Sequence, residues 1–216
     1  MTIMDIVQQL SGGMVITMQI FFVTLFTSLI LGLGLALVRM SKIKVLAFIA
    51  KIYISVMRGT PLMLQLLVVY FGPYFIFGME LSSESRLNAV LIGFAINYAA
   101  YFAEIYRAGI SAVPVGQYEA AKLLGYSKVQ TFIYIVMPQV VKHIIPPVAN
   151  ETITLVKDTS LAFTLAVTEM FTLAKQLVAA ESSMIPLAVA GVFYYIFNLI
   201  VALTFDYIEK KLSYYR

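Results

Sequence analysis

The apolar run from Gly13 to Val38 does most to limit what this chain can fold into. It is long enough to cross a bilayer as a single helix. The rest of the sequence has the same character: 61% of the residues are hydrophobic and 12% are charged. A soluble domain carries about twice that charge. The chain therefore reads as an integral membrane protein of one domain, residues 1–216, with all-α architecture. In hydrocarbon every backbone polar group needs an internal partner, and long apolar segments meet that need as helices.

Met1–Gly12 reads as a short amphipathic lead-in, with Ile3, Ile6, Val7 and Leu10 at helical spacing. It has no basic residue and does not resemble a cleavable signal peptide. A second span is expected over about Val45 to Phe77, kinked near Gly59-Thr60-Pro61 because Pro61 removes a helix hydrogen bond. A third runs from about Leu87 to Tyr106. The fourth, Val129–Val156, holds Pro138, Lys142, His143, Pro146, Pro147, Asn150 and Glu151, and reads as a broken helix buried among the others. Lys157–Met184 reads as a mixed outer segment with a short helix around Val167–Ala180. The last span is about Ile185 to Tyr207, and Tyr207, Tyr214 and Tyr215 are expected near the interface.

Positive charge orients these five spans. Arg39, Lys42, Lys44, Lys51, Arg107, Lys122, Lys128, Lys210, Lys211 and Arg216 fall in segments of one side, against Arg86, Lys157 and Lys175 on the other. The richer side is expected to be cytoplasmic, which puts the N-terminus outside and the C-terminus inside. The net charge of +4 then reports loop placement and not a nucleic-acid partner.

Ionisable groups at membrane depth are costly, so each is a functional candidate. Arg58 and Gln65 are seven residues apart and share a helix face, as do Asn97 and Glu104. Two such faces suit a shared polar cavity for a zwitterion: Arg grips a carboxylate and Glu pairs with an ammonium or guanidinium group. In the competing reading Arg58 neutralises Glu104 or snorkels to the inner surface. Asn150 and Glu151 are expected on the pathway. Asp158, Thr159 and Ser160 suit either ligand contact or a cap on the helix that comes after them.

The chain has no Cys and one His, His143, so disulfides, thiolate metal sites and paired-His ligation are not expected, and no cofactor is. It carries no Walker motif and no Gly-x-Ser-x-Gly. ATP hydrolysis, if used, is expected from a partner.

Between the third and fourth spans, Pro114 and Gly116 break the chain just before Glu119-Ala120-Ala121-Lys122-Leu123-Leu124-Gly125, a short helix-forming stretch with a natural stop. With Ile135 and Pro138 it resembles the coupling loop of ABC importer permeases: Glu-Ala-Ala, three residues, Gly, nine residues, Ile, one residue, Leu-Pro. Met137 stands where Leu is usual. Arg58-Gly59-Thr60-Pro61-Leu62, Tyr98-Ala99-Ala100-Tyr101, Glu104-Ile105-Tyr106-Arg107-Ala108-Gly109-Ile110 and Lys157-Asp158-Thr159-Ser160-Leu161 look like the polar amino-acid branch of that family.

The resemblance implies a five-helix permease of the cell membrane. A coupling helix at about 116–128 would dock on an ATPase through Glu119, Ala120, Ala121 and Gly125. The implied partners are two ATPase subunits, a second permease chain (identical or related) and an extracellular substrate-binding protein. It implies transport by alternating access of a polar amino acid. The pocket candidates are Arg58, Gln65, Asn97, Glu104, Asn150, Glu151, Asp158, Thr159 and Ser160, and their acidic members favour a basic substrate. Glutamine or glutamate is the alternative cargo. A proton-coupled secondary transporter and a non-transporting membrane anchor are the competing classes.

Overall fold

The computed structural model describes residues 1–212, and Tyr214, Tyr215 and Arg216 lie outside the described residues. The first helix, α1, is continuous over Ile3–Arg39. The expected separate lead-in is its first three turns. A capping box starts it: Thr2 N donates to Asp5 Oδ2 (2.8 Å) and Asp5 N to Thr2 Oγ1 (3.2 Å). Burial of Ile6, Leu10 and Met14 carries the helix through Gly12 and Gly13, whose helix cost is about 1 kcal/mol each. At 1.5 Å per residue α1 is about 55 Å long. That exceeds the hydrocarbon core, so α1 tilts or projects from it.

The second span is two helices, α2 (Lys44–Gly59) and α3 (Leu62–Phe77), meeting at 112°. The expected kink is a full break. Thr60 is extended (φ −121°, ψ 148°), the conformation that a proline at the next position favours. On α2, Lys44, Lys51 and Arg58 recur every seven residues and form one basic stripe.

Helix α4 (Glu84–Ser111) is the centre of the bundle. Val90, Phe94, Tyr98 and Phe102, at four-residue spacing, are all buried. Ala95, Ala99, Ala100 and Ala103 on its other faces let α1 and α2 approach closely. A short helix, α5 (Val115–Leu123), comes after Pro114.

The fourth span, α6 (Lys128–Leu165), is continuous, a correction to the broken helix expected there. It changes pitch instead. Thr131–Val136 is a π-turn in which Met137 N–H reaches Phe132 O. This wider winding accommodates Pro138, which has no N–H and would clash with the carbonyl of residue i−4 in an α-helix. Pro146 and Pro147 sit inside the α-helical part, Met137–Asp158, and Thr159–Leu165 tightens to 3₁₀. Lys157 and Asp158 therefore lie within the fourth span, at the end of its α-helical part; the separate outer segment begins only after Leu165. It contains α7 (Met170–Glu181), and α8 (Ile185–Leu212) closes the bundle against α6, α7 and α1. Among the described residues α1, α4, α6 and α8 are long and apolar enough to cross a membrane, and the bent pair α2–α3 supplies the fifth span.

Candidate functional site

The break between α2 and α3 is where the polar residues begin to organise. Gln65 Nε2 lies within hydrogen-bond distance of Thr60 Oγ1 (2.8 Å), Met57 O (3.0 Å) and Thr60 O (3.2 Å). Asn97 Nδ2 on α4 donates to Gln65 Oε1 (2.9 Å) and to Met57 O (3.1 Å). These two amides satisfy carbonyls that the end of α2 leaves without helical partners. Asn97 is 3% exposed. The structure thus brings Gln65 and Asn97 to each other, and away from the cavity that holds the charged candidates.

That cavity, 370 Å³, lies between α2, α4 and α6. Arg58, Tyr101, Glu104, His143, Pro147 and Glu151 contribute its side chains. The last three recur at four-residue spacing and form one face of α6. Gly109 sets how closely α4 approaches that face. A Cβ there would stand 2.3 Å from Ile144 Cγ2, so any side chain would push α4 and α6 apart.

Charge is distributed unevenly around the cavity. Glu104 is held by Arg107 one turn along α4, through Nε to Oε2 (3.0 Å) and through Nη2 to Oε1. Arg58 is therefore not the ion-pair partner of Glu104. Its guanidinium carbon lies 5.4 Å from the centroid of the Tyr101 ring, within cation–π range. Glu151 is partly buried, with no hydrogen bond or ion pair among the described residues.

Asp158, seven residues beyond Glu151 on the same helix, does not cap the turn after it. Its Oδ2 accepts from Tyr98 Oη at 2.7 Å. Tyr98 is buried and stacked with Phe94. Thr159 and Ser160 donate back to the carbonyls of Val156 (2.7 Å) and Lys157 (2.8 Å), which ties off the end of the α-helical part. Asn150 is exposed on α6 and does not line the cavity.

One buried acid escaped the sequence reading. Glu169, 0% exposed, begins α7 and accepts from Phe171 N (2.7 Å), Thr172 N (2.7 Å), Thr172 Oγ1 (2.9 Å) and Tyr194 Oη (3.2 Å). Thr17 on α1 lies beside it (3.4 Å) and accepts from Met170 N. Burial pushes its carboxyl above the usual range, and the converging donors oppose that shift. The signal was Glu three residues before Thr172, an N-cap pattern hidden in an irregular stretch.

The coupling stretch forms α5 and the turn after it, one turn shorter than 116–128. Gly125 has φ +79°, and Tyr126 N reaches Ala121 O (3.0 Å) while Gly125 N reaches Lys122 O (3.1 Å), a Schellman ending. Ala121 is buried, and Glu119 and Ala120 are exposed. Leu123 and Leu124 are 90% and 74% exposed and form an apolar tip to this short helix.

The fold is that of a polytopic helical permease. Residues 28–214 match the model of the binding-protein-dependent transport system inner membrane component family, and the chain belongs to that family. It is 40% identical over 205 residues to the Probable amino-acid ABC transporter permease protein YckA of Bacillus subtilis (strain 168), covering 94% of this chain and 88% of that one. It is 37% identical to the Arginine transport system permease protein ArtQ of the same organism, covering 93% and 91%. Further relatives carry L-cystine and glutamine in their names. A crystal structure of an amino acid ABC transporter with histidines superposes with TM-score 0.87 at 31% identity, over 98% of this chain and 99% of that one. The protein is thus the permease subunit of an amino-acid ABC transporter, embedded in a membrane. Family membership implies an ATPase and a substrate-binding protein as partners.

Proposed function

We propose that this chain carries a basic amino acid (arginine, lysine or histidine) inward across the cell membrane through the Arg58–Glu151 cavity. The observation that carries this reading is the Glu151 carboxylate, which lines the cavity with no ion-pair partner among the described residues. Glu104 is already paired with Arg107, so Glu151 is the group left to meet a cationic side chain. Arg58 takes the substrate carboxylate, and the Tyr101 face packs beside it. Asp158, held by Tyr98, adds negative potential further along α6. The relative named for arginine transport supports the same substrate class. A glutamine reading would rest on the amides Gln65, Asn97 and Asn150, but the first two are engaged at the α2–α3 break and Asn150 does not line the cavity.

In this reading two permease chains stand side by side above two ATPase subunits, with the N-terminus outside and the C-terminus cytoplasmic, as the Lys and Arg distribution favours. ATP closes the ATPase pair, α5 moves with it, and the cavity turns outward to receive substrate from the binding protein. The test is uptake of labelled arginine into proteoliposomes by the complex carrying Glu151→Gln. The expected result is at least a tenfold loss of kcat/KM, or about 1.4 kcal/mol, with basal ATP hydrolysis retained. Uptake equal to wild type for every basic amino acid would reject the assignment.

A further inference from the structure

A second, larger cavity of 720 Å³ lies between the proline-bearing part of α6 and the last turns of α8. Tyr134, Gln139, Lys142 and His143 line it from α6, and Glu209 lines it from α8. Among the described residues Lys142, His143 and Glu209 have no hydrogen-bond or ion-pair partner. Glu209 fixes the level of the cavity. It lies in the last turn of α8 beside Lys210 and Lys211, where a helix leaves hydrocarbon for the headgroup layer. Tyr134, next to the coupling end of α6, suits the same layer, because its ring is amphipathic.

An unpaired ammonium and an unpaired carboxylate facing one cavity at that depth call for a ligand with both charges. We propose that this cavity holds the headgroup of a zwitterionic aminophospholipid from the leaflet at the α5 end. Its phosphodiester lies on Lys142 and His143, and its ammonium on Glu209. Basic recesses between spans take phospholipid headgroups. Glu209 adds discrimination: it repels a purely anionic headgroup and accepts hydrogen bonds that a quaternary choline cannot donate. The wall is otherwise apolar, with Ile145 and Pro146 available to the glycerol and upper acyl chain. His143 also lines the Arg58–Glu151 cavity, so the headgroup rests against a wall of the proposed transport site. The inference does not depend on which amino acid is carried.

The test is native mass spectrometry of the purified permease–ATPase complex after incubation with phosphatidylethanolamine, phosphatidylglycerol or phosphatidylcholine. Wild type should retain phosphatidylethanolamine best. Lys142→Gln should lower that retention roughly tenfold, as loss of a charge-assisted contact does, and Lys142→Arg should restore it. Glu209→Gln should remove the preference for phosphatidylethanolamine over phosphatidylglycerol. Equal retention of the three lipids by wild type, or the same phosphatidylethanolamine retention in wild type, Lys142→Gln and Glu209→Gln, overturns the proposal. So does loss of the second permease chain from the variants with lipid retention unchanged, which would make the cavity a subunit interface.

Discussion

Glu169 is fully buried, yet backbone and side-chain donors from α7 and α8 converge on its two oxygens, with Thr17 of α1 alongside. Removing it leaves those donors without acceptors in a site water does not reach. Glu169→Ala should therefore cost about 3 kcal/mol, the upper range for a hydrogen-bonded charged group, read as a lower thermal midpoint of the purified complex. Its raised carboxyl pKa sets a sign for pH. The fold favours the protonated group more than the unfolded chain does, so this stabilisation is full below the ordinary value of 4.5 and is lost as pH rises through the raised value. The midpoint of wild type relative to Glu169→Gln should accordingly fall as pH increases from 4.5 to the raised value and level off above it. Tyr98→Phe removes the 2.7 Å bond to Asp158 and should cost about 1–2 kcal/mol. Sequence spacing put Gln65 with Arg58 and Asn97 with Glu104 on shared helix faces. It could not show that a chain break nearby would leave Met57 and Thr60 carbonyls for those amides to satisfy. Arg107 was likewise counted among the inner cations, although at three residues from Glu104 it was in reach as a helical partner.

Among the elements, the coupling segment was the most legible, because its turn chemistry is local. Pro114 starts α5, and Gly125 ends it in the left-handed region. Gly125→Ala should cost about 1 kcal/mol from that backbone conformation alone, since a Cβ there meets nothing within 4 Å. A bulky charged residue such as Gly125→Arg should leave the spans folded and uncouple ATP hydrolysis from uptake; wild-type uptake by that variant would reject docking of this turn on the ATPase. The proline-rich elements were harder to read. Pro61 was expected to kink a helix and separates two of them, whereas Pro138, Pro146 and Pro147 were expected to break one and do not. The groups around each proline account for the difference. The carbonyls freed near Pro61 gain Gln65 and Asn97 as donors, which stabilises an open break. At Pro138 a π-turn absorbs the ring, and Gln139 Nε2 donates to Ile135 O (2.7 Å). Such compensation comes from pitch changes and distant side chains, and hydrophobic periodicity carries neither. On α4, Gly109→Val should force Ile144 aside and widen the Arg58–Glu151 cavity, with uptake falling more than thermal stability.

For the whole molecule, the fold class, the number of spans and the family were legible from long apolar runs and one spaced motif, since both arise from chain-local patterning. The cavity was legible only in part. Arg58, Glu104 and Glu151 line it, but its floor and walls depend on α4 approaching α6 at Gly109, a contact between segments far apart in sequence. The central claim is that this permease feeds a cationic amino acid through that cavity under control of its ATPase. The most direct test is ATP hydrolysis by the reconstituted complex with its binding protein, titrated in turn with arginine, lysine, histidine, glutamine and glutamate. Stimulation by the basic amino acids, lost in Glu151→Gln, is the predicted result. Stimulation by glutamine or glutamate alone, or by no amino acid at all, would contradict it.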